Sequence, residues 1–162
     1  MRLRWLSHLA LAVVLLVPAS VQARTNIADP VKFVSGLYVA MAAATVEKPY
    51  VPPEDIYTAR LASLFLLAKR EAHGEVGRID FDFWSNAQDW QLKDVSVTSV
   101  PVEGAPSRQV VIAKFRNFDT PNEIHFYFVK TSRGWLLDDA RSMLGETWTL
   151  SLILKYGWDG KP

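Results

Sequence analysis

Four oxygen-bearing side chains lie close together near the middle of the chain: Asp80, Asp82, Asn86 and Asp89. Carboxylate and amide oxygens are the ligands that Ca²⁺ prefers, so one interpretation is a calcium-stabilised loop. The spacing differs from an EF-hand, which requires a ligand at the fifth position, Gly at the sixth and Glu at the twelfth. Asp and Asn also commonly tie down the N–H groups of turns. We therefore expect a structural loop, with no metal and with Asp82 and Asp89 accepting backbone hydrogen bonds.

A histidine beside an acid is the second candidate. His125 and Tyr127 alternate with apolar residues, which places them on the same face of a predicted strand as Glu123. A histidine next to a carboxylate could act as a general base. No second ligand stands at zinc-binding spacing, and one histidine without a positioned partner does not make a site. We expect His125 to be a polar residue on the outer face of a sheet.

An acid pair at the end of another predicted strand is the third candidate. Asp138 and Asp139 could join aromatic residues from distant parts of the chain in a pocket, where burial would raise the pKa of a carboxyl as proton transfer requires. The simpler alternative, which we expect, is that Asp139 pairs with Arg141 or caps the following turn. No residue is assigned a catalytic role and no cofactor motif is present. The candidate binding residues are Tyr38, Trp84, Trp135, Asp138 and Asp139.

The pattern of apolar residues predicts an α+β fold. Helices are predicted to start at Asp29-Pro30 and at Pro53-Glu54, because Asp and Pro favour helix starts. After alternating residues 79–84, strands are predicted at 92–102, 109–118, 123–131 and 135–138, followed by a short helix at 148–156. Two N-terminal helices should thus pack on a curved antiparallel sheet of about four strands. We expect Tyr57, Leu61, Leu64, Phe65 and Ala68 to face Ile124, Phe126 and Phe128.

The N-terminus has the order of a secretory signal peptide. Arg2 and Arg4 precede the apolar run at residues 9–17, and small residues end at Ala23. Cleavage between Ala23 and Arg24 would leave a single domain at 24–162. The run is too short to span a bilayer, which takes about 20 residues. The expected location is the bacterial periplasm or the medium.

The composition narrows the possible partners. Of 18 Lys and Arg residues, Arg2 and Arg4 belong to the leader, so 16 remain against 17 acidic residues. A nearly neutral chain without a basic run does not suggest nucleic-acid binding. The chain has no cysteine, so it has neither a disulfide nor an acceptor for a lipid anchor. The expected partner is a protein or a small apolar ligand, and the oligomeric state stays open.

Several segments together resemble one bacterial family. Residues 33–38 match a short aromatic helix motif, residues 80–90 a D-x-D-P-x…N-x-Q-D-W signature, and residues 134–139 a G-W-x-I-D-D segment. The chain resembles the exported family known as domain of unknown function 3828, although Phe83 stands where the signature has Pro. The resemblance implies export and a cone similar to nuclear-transport-factor-2-like α+β proteins. It supplies no catalytic residues.

Three functions are compatible with these features. The first is a non-enzymatic periplasmic binding module that uses the open face of the cone. The second is a cone-type isomerase, dehydratase or hydrolase that uses Asp138 or Asp139 with Tyr38 or His125. The third is an immunity protein against a toxin of the cell envelope. The first is our expectation, because the chain is rich in aromatic residues and poor in catalytic motifs.

Overall fold

A computed structural model describes residues 24–45 and 48–158 of the chain. The predicted leader at residues 1–23, including the cleavage residue Ala23, lies outside the described residues. Arg24 is the first described residue and is exposed. No helix in the described ranges combines the length and the apolar character needed to cross a membrane.

Helix α1 spans Pro30–Ala42, as the sequence predicts. The Asp29 carboxylate accepts hydrogen bonds from the backbone N–H groups of Val31 and Lys32, at 2.9 and 3.1 Å. These groups have no partner within the helix, so the cap and the proline at the first position together fix where α1 begins.

The second helix begins later than predicted. Glu54–Ile56 forms a single 3-10 turn, and α2 spans Ala59–Glu71. Between them Tyr57 is extended and bridges Leu137 of the sheet, which interrupts the helical path. The Thr58 hydroxyl then accepts the N–H of Leu61 and caps α2.

The sheet has five antiparallel strands in sequential order rather than about four. The strands are β1 Leu92–Pro101, β2 Arg108–Asn117, β3 Thr120–Thr131, β4 Gly134–Ser142 and β5 Trp148–Thr149. The extra strand is the segment predicted to open the last helix: Trp148 and Thr149 pair with Ser142 and Arg141, and α3 is therefore shorter, at Leu150–Tyr156.

The alternating segment at residues 79–84 is not a strand. Asp82 and Ala87 form an isolated bridge across a tight loop. The Asp82 carboxylate accepts the N–H groups of Trp84 and Ser85, which turns the chain where a strand would continue. The consecutive residues Phe83, Trp84 and Ser85 are all buried, so burial does not alternate along this loop as it would along a strand.

One core joins the helices to the sheet. On β3 the buried apolar residues are Ile124, Phe126 and Phe128, as predicted, and the polar Asn122 is buried beside them. Helix α1 lies against β1 and β2, whereas α2 lies against β4 and α3. Leu61 and Ala68 of α2 are buried in the same core as the β3 residues, but Tyr57, Leu64 and Phe65 are only partly buried.

Candidate functional site

Two of the five candidate binding residues meet in the core. The Tyr38 hydroxyl donates a 2.7 Å hydrogen bond to the backbone carbonyl of Trp84, and the Trp84 ring stacks on Phe126 at 4.7 Å between centroids. Tyr38 and Trp84 are each 1% exposed. Their meeting is therefore a packing contact. Neither residue lines any of four surface clefts, whose volumes run from about 280 to about 610 Å³.

Trp135 lies elsewhere on the sheet. Its backbone N–H donates to the Ile27 carbonyl at 2.9 Å, and the Lys130 ammonium lies 5.8 Å from its ring centroid. It lines the smallest of the four clefts, of about 280 Å³, beside the turn between β1 and β2. The prediction that Trp135 converges with Tyr38 and Trp84 in one cleft is wrong, because none of the four clefts is lined by more than one of these residues.

Asp138 and Asp139 join the sheet to two helices. Asp138 accepts the Thr58 hydroxyl at 2.7 Å and the Arg60 Nε–H at 3.2 Å. Asp139 accepts the Ser151 N–H at 3.0 Å and the Ser151 hydroxyl at 2.6 Å, with Arg60 Nη2 at 3.7 Å. The predicted pairing of Asp139 with Arg141 is wrong, because Arg141 lies over the Tyr127 ring, 4.9 Å from its centroid.

A β-bulge explains how two consecutive acids reach the same guanidinium. Tyr127 pairs with Asp139 and Phe128 with Leu137, so Asp138 has no partner on β3. Successive residues of a regular strand face opposite sides, whereas a bulge redirects side chains locally. Both carboxylates can therefore face the Arg60 side chain on α2.

A partly buried acid with a shifted pKa is Asp82. Burial raises the pKa of the Asp82 carboxyl, although the hydrogen bonds from the N–H groups of Ser85 and Trp84 oppose the shift. Burial, and secondarily the negative charge of Asp82, also raise the pKa of Tyr38, Tyr50 and Tyr57. Asp82 lines none of the four clefts, so no space for a substrate adjoins it there.

The other residues of the calcium alternative act within the loop. The Asn86 amide donates to the Asn122 side chain at 3.0 Å and accepts the Trp148 indole N–H at 2.6 Å. Asp89 accepts the Asn117 amide through its backbone carbonyl, at 3.2 Å, so the predicted role of its carboxylate is wrong. Asp80 lines a cleft. Within the described ranges, no three His, Cys, Asp or Glu side chains form a metal-binding group.

His125 lies on the face of β3 opposite the core residues, as predicted. Its Nε2 is 2.7 Å from Glu123 Oε1, and Lys114 Nζ is 3.2 Å from the other carboxylate oxygen. These hydrogen bonds, to His125 first and to Lys114 second, lower the pKa of Glu123. The trio is a surface network that none of the four clefts reaches.

Two adjoining clefts surround Trp158, which is not among the predicted site residues. One cleft, of about 400 Å³, lies between the β4–β5 loop and α3; the other, of about 610 Å³, adjoins the loop at residues 80–88. Trp158 and Glu146 line both clefts. We call these two spaces the Trp158 clefts. Trp158 is 47% exposed, whereas Trp84 and Trp148 are 1% and 7% exposed.

The Trp158 side chain is held in place from two sides. Its indole N–H donates to Glu146 Oε1 at 3.2 Å, and its ring meets Phe81 edge-on, with centroids 5.4 Å apart and planes at 90°. The sequence contains a weak signal that Trp158 is exposed, since this tryptophan directly follows Gly157, the C-cap of α3, and so falls outside the apolar period of the helix.

Comparisons with family models, curated proteins and solved structures found no match for this chain.

Proposed function

We propose that this protein is an exported, non-enzymatic binding module whose ligand site is the pair of Trp158 clefts. The observation that carries the proposal is the half-exposed indole, fixed by Glu146 and Phe81 and bordered by concave space on two sides. Exposing a large aromatic side chain gives up the free energy of burying it, so a fixed exposed ring between clefts favours a binding role.

The proposal keeps the expected location and family. The helices α1 and α2 on one sheet fit the cone expected from the resemblance to domain of unknown function 3828, and the leader fits export. The proposed site differs from the open face around Tyr38 and Trp135. The Trp158 clefts mix aromatic, amide and charged side chains, which fits a partly polar ligand better than a purely apolar one.

A fragment screen tests the site. Cationic, neutral and anionic fragments would be titrated into ¹⁵N-labelled protein while the Trp158 indole N–H resonance is followed. We expect at least one class to shift this resonance in the wild type, and Trp158→Ala to abolish binding. Phe118→Ala is the matched control, because Phe118 is also an exposed aromatic residue, 56% exposed, on the turn between β2 and β3. If no class binds, the binding-module proposal fails.

Export is tested separately. The full-length chain would be expressed in a Gram-negative host, and the periplasmic product sequenced from its N-terminus. We expect the sequence to begin at Arg24. An intact Met1 or a membrane-bound product contradicts the export part of the proposal but leaves the Trp158 clefts unaffected.

A cone-type enzyme is the second candidate, and Asp82 is the observation that favours it. A partly buried acid with a raised pKa near tyrosines is typical of proton-transfer sites. Assays with isomerase, dehydratase and hydrolase substrates would compare the wild type with Asp82→Asn. Turnover that Asp82→Asn abolishes in a folded protein would replace the non-enzymatic proposal.

A further inference from the structure

The larger of the two Trp158 clefts carries an excess of negative charge. Asp80 and Glu146 both line it, and neither forms an ion pair with any residue in the described ranges. One arginine, Arg78, lines the larger cleft as well, and a second, Arg141, lines the smaller one opposite Glu146. Arg78 pairs with Glu71 and donates to the backbone carbonyls of Leu154 and Lys155 at the end of α3.

The second arginine, Arg141, lies over the Tyr127 ring on the outer face of the sheet. In the larger cleft the charge of Arg78 is paired with Glu71, so the carboxylates of Asp80 and Glu146 remain in excess there. An anionic ligand such as a carboxylate or phosphate would be repelled, whereas a cation would be attracted.

Two aromatic rings line each of the Trp158 clefts, and Trp158 is common to both. Phe81 packs against Trp158 at 90° and against Trp148 at 62°, with centroid distances of 5.4 and 5.5 Å. Trp158 lines both clefts, Phe81 the larger one and Trp148 the smaller one. The π faces of aromatic rings attract cations, most strongly for tryptophan, and aromatic cages bind quaternary ammonium groups in this way.

We propose that the larger Trp158 cleft binds a small organic molecule through its ammonium group, an inference that rests on the proposed function. The cation lies against the Trp158 indole, and Asp80 and Glu146 neutralise its charge. The volume of about 610 Å³ suits a small molecule. Gln88, which lines the larger cleft, can both donate and accept hydrogen bonds to a polar tail.

Paired probes of equal shape test this inference. Choline and its uncharged carbon isostere, 3,3-dimethyl-1-butanol, would be titrated into the full mature chain by calorimetry and by tryptophan fluorescence. We expect choline to bind at least about tenfold more tightly than the isostere, because only the charged probe gains the cation–π and carboxylate attraction. Binding of choline should weaken as salt increases.

Variants locate the binding. Trp158→Leu should abolish choline binding, and Asp80→Asn and Glu146→Gln should each weaken it several-fold, whereas Phe118→Ala should leave it unchanged. Glu146 is exposed, so Glu146→Gln keeps the test informative if Trp158→Leu fails to fold. A third probe, a peptide carrying one trimethyl-lysine, separates the two sources of the same chemistry. Tighter binding of this peptide than of choline would overturn the small-molecule assignment in favour of a modified protein.

Each failure has a distinct meaning. Equal binding of choline and its isostere, or choline binding that Trp158→Leu leaves intact in a folded protein, overturns the ammonium inference. So does a fragment screen in which neutral or anionic fragments shift the Trp158 resonance but cations do not. In that case the binding module stands with another ligand class. The absence of binding by every class overturns both proposals.

Discussion

The hydroxyl of Tyr38 donates a buried 2.7 Å hydrogen bond to the backbone carbonyl of Trp84, 46 residues further along the chain. This contact ties α1 to the loop at residues 80–89, whose conformation the Asp82 carboxylate also fixes. A buried carbonyl outside regular secondary structure needs such a partner, because burying it without one is costly.

Tyr38→Phe should therefore destabilise the protein by about 1–3 kcal/mol, the cost of leaving a buried polar group unpaired. Urea unfolding at neutral pH measures the loss. Tyr127→Phe is the control, since the Tyr127 ring is half-buried on the outer face of the sheet under Arg141. Equal stability of Tyr38→Phe and wild type would show that the Trp84 carbonyl finds another partner.

Gly134 permits the turn between β3 and β4 to meet the N-terminal segment. Its φ is +93°, and a Cβ atom there would lie 2.9 Å from the Ile27 carbonyl oxygen and collide with the Asn26 side chain. Gly104 also has a positive φ, +69°, but nothing lies within 4 Å of its Cβ position. Comparing the two glycines separates backbone strain from collision.

Gly104→Ala should cost about 1 kcal/mol through the left-handed backbone alone. Gly134→Ala should cost roughly 3 kcal/mol, because the contact with the Ile27 backbone adds to the same strain. Urea unfolding of both variants measures the difference. Equal losses would mean that the segment at Ile27 moves away freely.

Elements that depend on neighbouring residues were predictable from the sequence, whereas elements that depend on distant contacts were not. Helix α1 and the alternation of β3 were predicted correctly, because capping residues and apolar periodicity act over a few neighbouring residues. Two elements depend on distant contacts: Tyr57 is extended because it bridges Leu137, and Trp148 is in a strand because it pairs with Ser142. No local pattern reports these pairings.

Two acids should affect stability with opposite dependence on pH. The pKa of Asp82 is raised in the folded state, so its contribution to stability is present at low pH and is lost as the pH rises through the raised pKa. The pKa of Glu123 is lowered, so its contribution is present above about pH 4.5 and is lost as the pH falls through the lowered pKa.

Urea unfolding between about pH 3 and pH 8 would compare both neutral variants with the wild type. The stability of Asp82→Asn relative to wild type should increase as the pH rises above about 4, because the amide removes a buried charge. The stability of Glu123→Gln relative to wild type should decrease as the pH rises through the acid range, because the hydrogen bond to His125 favours the carboxylate of the wild type. If the stability of a variant depends on pH in the same way as that of the wild type, the pKa shift assigned to that residue is contradicted.

Calcium should leave the melting temperature unchanged. Two of the oxygen atoms that a metal would need are used within the protein: Asp82 Oδ1 accepts two backbone N–H groups, and Asn86 Oδ1 accepts the Trp148 indole N–H. Thermal unfolding with Ca²⁺ and with a chelator tests this. A clear rise in melting temperature with Ca²⁺ would revive the calcium site, because a ligand that binds only the folded state stabilises it.

The candidate site was less predictable than the fold. The sequence indicated that Asp138 and Asp139 matter together, but a bulge determines where they point, and bulges have no clear signal in a single sequence. Trp158 is not among the predicted site residues, because its exposure depends on its contacts with Phe81 and Glu146, which are distant in the chain.

A link between Asp139 and Ser151 attaches α3 to β4. The carboxylate accepts both the N–H and the hydroxyl of Ser151, and the N–H belongs to the first turn of α3, where no intrahelical partner exists. Thr149 at the N-cap makes no side-chain hydrogen bond, so Asp139 replaces the missing cap from a distant strand.

Asp139→Ala should destabilise the protein by about 2–4 kcal/mol, because it removes a charged hydrogen-bond acceptor and leaves the partly buried donors of Ser151 unpaired. Ser151→Ala should cost about 1–1.5 kcal/mol, since the N–H bond to Asp139 remains. In the double variant the losses should fall short of the sum by roughly 1 kcal/mol, because the two side chains share a bond. Additive losses in urea unfolding would show that the Ser151 hydroxyl contributes nothing through Asp139, and that the backbone N–H groups and Arg60 hold the carboxylate in place.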